Sequence, residues 1–125
     1  MFEIIALMLL SQQPLQPVAE GVASYYTVAS SGSVTASGER MQDDLYTCAM
    51  RMGEFGDYFL VVAEDGRSVV CRLNDRGPYH KKRVIDLSEA AMRKISPKRD
   101  LARVRVYHLG AKPPDALHPK LARER

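Results

Sequence analysis

The sequence predicts a mainly β fold, either a small closed barrel or another compact β domain, with one short helix inserted late. Short runs rich in β-branched and aromatic residues recur along the chain, and Gly, Asp and Ser separate them. A helical pattern occurs near residues 88–96, just before the last of these runs. A length of 125 residues is typical of one domain that buries its own core.

The first two strand candidates flank a polar loop. VASYYTV, residues 22–28, is rich in β-branched and aromatic residues and predicts a strand. SSGSVTASGE, residues 30–39, is small and polar and predicts a loop. LYTCAM, residues 45–50, is the second strand candidate, and GEFG at residues 53–56 is typical of a turn.

A β-hairpin is the clearest local signal in the chain. The apolar runs DYFLVVA, residues 57–63, and SVVCRLN, residues 68–74, flank Asp65-Gly66. This dipeptide tolerates the positive φ angles of tight hairpin turns. The two runs are therefore predicted to pair as neighbouring antiparallel strands.

The last third of the fold alternates strand, helix and strand. RVIDL, residues 83–87, predicts a short strand that leads into the helix-forming segment SEAAMRKI. Pro97 ends this helix because the residue before a proline disfavours α geometry. ARVRVYHL, residues 102–109, alternates apolar and charged residues, as a half-buried strand does.

The two ends of the chain do not follow these patterns. Residues 1–20 predict a signal-like or disordered leader: the apolar run FEIIALMLL is too short to span a bilayer and lacks a preceding cation. No membrane anchor is expected, since no lipoprotein cysteine follows the run. Residues 110–125 contain three prolines and no periodicity, and predict an irregular basic tail.

Charge is distributed unevenly along the chain. Residues 1–80 carry 5 Lys and Arg against 10 Asp and Glu, whereas residues 81–125 carry 13 against 5. A basic C-terminal half favours an anionic partner such as nucleic acid, anionic lipid or an acidic cell-wall polymer, or is simply a solvated surface. Aromatic residues do not interleave with the cations as a base-stacking surface requires, so no nucleic-acid partner is expected.

Three carboxylates are candidates for chemistry. Asp75 ends an apolar run just before Gly77-Pro78. Partial burial at this position would raise the pKa of its carboxyl and suit it to donate a proton. The alternative is that Asp75 only initiates a turn by bonding to its own backbone. Glu39 lies in a polar loop and matters only if the fold brings it near Asp75. Asp86 resembles a helix N-cap, with Ser88 as the alternative cap.

Other chemistries find little support in the sequence. The three histidines have no metal-ligand spacing with the cysteines, so neither a metal nor a cofactor is expected. No Ser or Cys nucleophile motif and no phosphate-binding Gly-rich loop occurs. Cys48 and Cys71 either pair across a sheet or act as two small buried hydrophobic residues.

Six segments together carry a family resemblance. GVASYYT, TASGERM, LYTCAMR, GRSVVCRLNDRGPY, RVIDLSEAAMRKI and ARVRVYHL follow one another over about residues 21–109. This series resembles the double-psi β-barrel domain of the rare lipoprotein A (RlpA) family, whose barrel type also occurs in expansins and barwin-like proteins. The resemblance implies a six-stranded double-psi β-barrel at residues 21–109 with a surface groove for polysaccharide, often peptidoglycan.

The resemblance also implies an activity and its residues. Some members are lytic transglycosylases that act on peptidoglycan glycan strands stripped of stem peptides, which implies a monomeric, cofactor-free enzyme of the periplasm or cell exterior. The family's acids fall on Asp75, as acid/base, and on Glu39, as a supporting catalytic carboxylate. The implied substrate groove consists of Tyr25 or Tyr26 (one of them being the groove tyrosine), Thr35, Arg76 and Asp86.

The chain departs from the family pattern at two places near these residues. Met50 stands where the family usually has a His in T-A-A-H-R, and MGEFGD replaces the usual L-P-x-G-T turn. These departures leave the acids in place. They also leave open a non-catalytic, expansin-like polysaccharide-binding module, or an interaction domain that uses only the scaffold.

Overall fold

The computed structural model describes residues 16–98 and 100–112 of the chain. Six strands and two short helices follow one another in the order β1 (Ala19–Tyr26), α1 (Val28–Ser31), β2 (Thr47–Ala49), β3 (Tyr58–Ala63), β4 (Ser68–Asp75), β5 (Arg83–Ser88), α2 (Glu89–Ile95) and β6 (Ala102–Gly110). The predicted leader and tail lie mostly outside the described residues. Within the described part of the chain, no helix has the length and apolar character needed to cross a membrane.

The six strands close into a barrel in the order β1-β5-β2-β4-β3-β6. Two neighbouring pairs are parallel, β1 with β5 and β2 with β4, and the other four pairs are antiparallel. Within the described residues, closure gives each of the six strands a neighbour on both sides. The predicted mainly β, six-stranded double-psi barrel with a late helix is confirmed.

The barrel interior holds one apolar core. Phe59, Leu73, Ile85, Leu87 and Met92 are fully buried in it, and they come from three strands and from α2. Burying each such side chain contributes about 1.5–3 kcal/mol to the free energy of unfolding. The inward-facing side chains of the strands and the apolar side of α2 therefore form a single core.

Helix α2 begins one residue after the strand that carries Asp86. Ser88 is its N-cap, because the Ser88 hydroxyl accepts a hydrogen bond from the Ala91 N–H. Asp86 is therefore not the cap: it is a residue of β5, and the capping interpretation of Asp86 was wrong. The basic side chains of Arg93 and Lys94 occupy the last turn, where they complement the helix dipole.

Two short local segments, the β3–β4 turn and helix α1, were also predicted from sequence, one correctly and one not. Asp65 and Gly66 form the predicted hairpin turn between β3 and β4, with Gly66 at φ +93° and Asp65 Oδ1 accepting from the Arg67 N–H. Helix α1 is a single turn where the sequence predicted the end of a strand, at Val28, and the start of a loop. Its N-cap Thr27 forms a capping box with Ser30, a pattern that small polar residues also adopt in loops.

Candidate functional site

Two carboxylates and a serine occupy one row across four neighbouring strands. Asp75 of β4 and Asp86 of β5 both pair with Ala49 of β2, and Asp86 pairs in turn with Ser24 of β1. Residues that pair directly across a sheet share a face. Asp75 and Asp86 therefore lie on the same outer face, separated by two strand spacings, about 10 Å between their Cα atoms.

A β-bulge turns Asp75 to this outer face. Leu73 of β4 is fully buried, so strict alternation would turn Asp75 inward as well. The register between β2 and β4 shifts at this point, since Cys48 pairs with Leu73 but the next residue, Ala49, pairs with Asp75. The extra residue on β4 brings Asp75 out of the core and beside Asp86, as bulges near functional sites commonly do.

The Asp75 carboxylate is held through one oxygen. Its Oδ1 accepts hydrogen bonds from the Ala36 N–H at 2.8 Å and from the Arg76 N–H at 2.9 Å. The side chain is thus fixed in orientation through Oδ1, and no described residue donates to its second oxygen.

The loop at residues 35–39 is fastened to β4 next to Asp75. Glu39 forms an ion pair with Arg72, 2.7 Å between Oε2 and Nη2, and Oε1 accepts from Asn74 Nδ2 at 2.9 Å. The Ser37 N–H donates to the Asn74 carbonyl at 3.1 Å. Glu39 is therefore brought to the strand end that carries Asp75, but its carboxylate is bound by buried protein groups.

Thr35 shapes this loop from within. Its side chain is buried, and its hydroxyl shares a hydrogen bond of 2.9 Å with the Ser37 hydroxyl and lies 3.3 Å from the Glu39 carbonyl, to which it donates. The Thr35 N–H also donates to that carbonyl. Thr35 thus holds the loop in the conformation that delivers the Ala36 N–H to Asp75.

Asp86 is partly buried and lies within electrostatic range of Asp75. Burial raises the pKa of Asp86 above its usual value, the Ser24 hydroxyl and the cation of Arg83 act in the opposite direction, and the charge of Asp75 adds to the increase. Ser24 Oγ donates to Asp86 Oδ1 at 2.8 Å. A carboxyl in such surroundings keeps its proton to higher pH than an exposed one.

Arg76 points away from the acids and anchors the segment after β2. Its guanidinium donates to the carbonyls of Met50, Met52 and Gly53, and it lies 4.3 Å from the centroid of the Phe55 ring. Three charge-assisted hydrogen bonds and a cation–π contact fix this segment against the end of β4. Arg76 is placed as a structural support of the rim.

The two adjacent tyrosines of β1 have different surroundings. Tyr25 is 37% exposed, whereas Tyr26 is 4% exposed and its hydroxyl shares a hydrogen bond of 2.7 Å with the Thr47 hydroxyl. Burial also raises the pKa of Tyr26 well above its ordinary value. Tyr25 is therefore the more accessible of the two tyrosines to a ligand.

Sequence reasoning missed three polar residues of this site. Ser24, Arg72 and Asn74 are buried although they are polar, and each contacts one of the candidate acids or its loop. Arg72 and Asn74 alternate with apolar residues in RLND, a pattern that marks the outer face of a strand beside Asp75. The pattern does not identify their partner, since Glu39 lies more than thirty positions away.

Of the three cavities described below, one adjoins the candidate carboxylates and two lie elsewhere. A cavity of about 140 Å³ adjoins the site, and it is lined by Glu39, Arg40, Gln42, Leu45, Thr47, Arg72 and Asn74. Two larger open depressions, of about 540 and 440 Å³, lie around the β3–β4 hairpin at the other end of β4. Because no candidate acid lines the larger depressions, the chemistry favours the smaller cavity and the acid row beside it.

Within residues 16–98 and 100–112, no group of three or more His, Cys, Asp or Glu side chains is arranged to hold a metal ion. The site is built from carboxylates, an ion pair and backbone donors. Such an arrangement can position a polar polymer and move a proton.

A closed double-psi barrel with carboxylates on one outer face defines the structural class, and comparison with known proteins gives the family. A profile of the lytic transglycolase family matches residues 18–106. The match covers most of the chain, so this chain belongs to that family.

Individual relatives are similar over the barrel. The chain is 44% identical over 77 residues to the endolytic peptidoglycan transglycosylase RlpA of Pasteurella multocida, covering 61% of this chain and 26% of that protein. It is 40% identical over 94 residues to the protein of that name from Haemophilus influenzae, covering 74% of this chain and 33% of that protein. The chain thus spans about a quarter to a third of these relatives' length.

A solved structure supports the fold alone. The Streptomyces papain inhibitor superposes with a TM-score of 0.59 at 20% identity, covering 76% of this chain and 98% of that chain. At this identity the likeness extends to the barrel and not to the chemistry.

Proposed function

We propose that the chain is a peptidoglycan-active lytic transglycosylase that cleaves glycan strands and leaves anhydro ends. The observation that carries the proposal is the bulge in β4, which turns Asp75 outward beside Asp86 in a chain of the lytic transglycolase family. The names of the RlpA relatives point to the same substrate.

Asp75 acts as the single acid and base. Its Oδ2 donates a proton to the glycosidic oxygen, the bond from C1 to that oxygen breaks, and positive charge develops at C1. The 6-hydroxyl of the same sugar attacks C1 and returns its proton to Oδ2, which restores the starting carboxylic acid. Because the sugar supplies the nucleophile, no second carboxylate has to activate a water, in contrast to hydrolases with two carboxylates.

The other residues bind and orient. Glu39, paired with Arg72, holds the loop that donates the Ala36 N–H to Asp75 and places negative charge near the developing cation. Asp86 and the exposed Tyr25 line the groove, Tyr25 offering a face for a sugar ring. In this proposal Tyr26, Thr35 and Arg76 support the groove, since their polar groups are bound to protein.

A non-catalytic wall-binding module is the second candidate. One observation favours it: Met50 replaces the His of the family pattern and is buried. A groove that lacks this imidazole could bind glycan without cleaving it. The excess of Lys and Arg in the sequence after residue 80 suits an anionic wall under either proposal.

We propose the cell envelope as the working compartment, periplasmic or extracellular, because the glycan substrate lies there. We also propose that the chain acts as a monomer. The closed barrel leaves no strand edge for pairing with a second copy, which supports this.

The direct experiment measures products from denuded glycan strands. We expect the wild-type chain to release fragments with anhydro ends, detected by mass spectrometry. Asp75→Asn keeps an oxygen for the Ala36 and Arg76 donors but cannot supply the proton, so product formation should fall by at least about 100-fold.

Asp65→Asn is the matched control. Asp65 also accepts from a nearby backbone N–H, but it is exposed in the hairpin turn at the other end of β4. This variant should retain wild-type activity. Full activity of Asp75→Asn would remove Asp75 from the acid role, and saturable pelleting of the wild-type chain with sacculi without any product would favour the binding module.

A further inference from the structure

Two buried thiols lie side by side beneath the site. The Sγ atoms of Cys48 and Cys71 lie 2.6 Å apart, and both side chains are fully buried. These are the only two cysteines of the sequence, and both are free thiols in this structure. We propose that Cys48 and Cys71 form an intrachain disulfide that ties β2 to β4 directly behind the acid row, and that the oxidised chain is the mature form.

The strand geometry brings the two sulfur atoms together. Cys48 of β2 pairs with Leu73 of β4, and Cys71 precedes Leu73 by two residues on the same interior face. Diagonal neighbours on one face of a sheet are within side-chain reach. A disulfide has a sulfur–sulfur bond of about 2.05 Å, so closure needs the sulfurs to approach by roughly half an ångström through side-chain rotation.

The alternative role as two small apolar residues accounts less well for the contact. Small hydrophobic side chains in a core meet at ordinary van der Waals separation, and two unbonded sulfur atoms pack farther apart than 2.6 Å. Burial raises the pKa of the Cys48 thiol, so this thiol is a poor nucleophile within the folded core. A buried pair of this kind is inert once folded, whichever redox state it has reached.

The bond forms during folding by exchange with an acceptor disulfide, such as glutathione disulfide or an oxidised dithiol protein. One cysteine thiolate attacks the acceptor, which gives a mixed disulfide and releases one acceptor thiol. The second cysteine thiolate then attacks the sulfur of the first, which releases the other acceptor thiol. The chain loses two thiol protons and two electrons, and the acceptor is reduced to two thiols.

The cross-link would constrain the segment on which the site is built. It closes residues 48–71 into a loop that includes the turn carrying the Met52 and Gly53 carbonyls bound by Arg76. Ala49, which lies between the two acids, is the residue next to Cys48. The disulfide would therefore hold β2 against the bulged end of β4 and limit separation of the strands that carry the acid row.

The test counts thiols in the whole chain and needs no variant. The chain is refolded from denaturant with a mixture of reduced and oxidised glutathione, denatured again, and treated with an alkylating reagent before intact mass measurement. We expect a monomer without alkyl additions, and two additions after reduction. Two additions on the unreduced chain, a glutathione adduct, or a disulfide-linked dimer would each overturn the proposal.

Accessibility and stability give a second, independent readout. Because both sulfurs are fully buried, the folded oxidised chain should resist reduction by dithiothreitol and lose the bond only under unfolding conditions. The reduced chain should melt about 10 °C or more below the oxidised chain. The double variant Cys48→Ala with Cys71→Val should melt at one temperature with or without reductant, whereas equal midpoints of the two wild-type forms would contradict a stabilising cross-link.

Discussion

Arg72 Nη2 lies 2.7 Å from Glu39 Oε2, and this ion pair joins the loop at residues 35–39 to strand β4. The Arg72 side chain is 4% exposed and that of Glu39 22%, so the cation is almost completely removed from water. A buried ion pair contributes little net stability when both charges are present. Removing one partner is destabilising, because the remaining charge is still partly buried and has lost its counter-charge. Glu39 is therefore a structural element of the rim.

Arg72→Met should destabilise the fold and weaken the site at the same time. The variant leaves the Glu39 carboxylate partly buried without its ion pair, and we expect a loss of about 2 kcal/mol in the free energy of unfolding, measured by urea titration. Arg67→Met is the control, because the pair it forms with Asp65 is exposed on both sides and should cost little. Equal stability of the two variants would show that the buried ion pair contributes no more to the free energy of unfolding than the exposed one.

Substituting Gly53 and Gly66 in turn separates the energetic cost of a positive φ from the cost of steric crowding. Gly53 and Gly66 both have φ +93°, but a Cβ on Gly53 would lie 2.9 Å from Leu73 Cδ2 and 3.0 Å from Phe59 Cζ, whereas nothing lies within 4 Å at Gly66. Gly66→Ala should cost about 1 kcal/mol from the positive φ alone, and Gly53→Ala about 1–3 kcal/mol more from crowding. Thermal unfolding of both variants measures the difference, and equal losses would contradict the close packing at Gly53.

The adjacent tyrosines should respond differently to loss of their hydroxyl groups. Tyr26→Phe leaves the buried Thr47 hydroxyl without this partner and should cost about 1–2 kcal/mol of unfolding free energy. Tyr25→Phe should stay within about 0.5 kcal/mol of wild type because Tyr25 is exposed. A larger loss for Tyr25→Phe than for Tyr26→Phe, measured by urea titration, would contradict the weight given to the buried Tyr26 hydrogen bond.

Much of the fold followed from local sequence. The hairpin around Asp65-Gly66, the strand before Ser88 and the helix that Pro97 limits are set by residues close to one another, so their patterns are readable in one sequence. The order of strands in the barrel cannot be predicted from local sequence, because the pairings between β1 and β5 and between β2 and β4 join distant segments. The family resemblance supplied the topology that periodicity could not.

The site was predictable only in part. Asp75 was identifiable as an acid at a strand end, but the bulge that turns it outward depends on its register with Ala49 and leaves no mark in the local pattern. The capping interpretation of Asp86 failed because Ser88, two residues later, has the same capping chemistry and the strand continues to it. Both outcomes depend on long-range pairing, which outweighs local preference in a sheet.

Asp86→Asn should make the stability of the chain less sensitive to pH. Burial raises the pKa of Asp86 in the folded chain above the value of about 3.9 expected when unfolded. Between these two pKa values the folded chain keeps a proton that the unfolded chain has released, so the free energy of unfolding falls as pH rises through this window. Asn does not titrate, and it can still accept from the Ser24 hydroxyl.

The measurement is the difference in unfolding free energy between Asp86→Asn and wild type, from urea titrations at pH values from about 3 to 8. This difference should become more positive as pH rises above about 3.9 and should level off once Asp86 is ionised in the folded chain. In the Asp75→Asn background the rise should end at lower pH, because the charge of Asp75 contributes to the raised pKa of Asp86. A difference that stays flat would mean that folding leaves the pKa of Asp86 unchanged, and one that becomes more negative would mean that folding lowers it; either result would contradict a raised pKa.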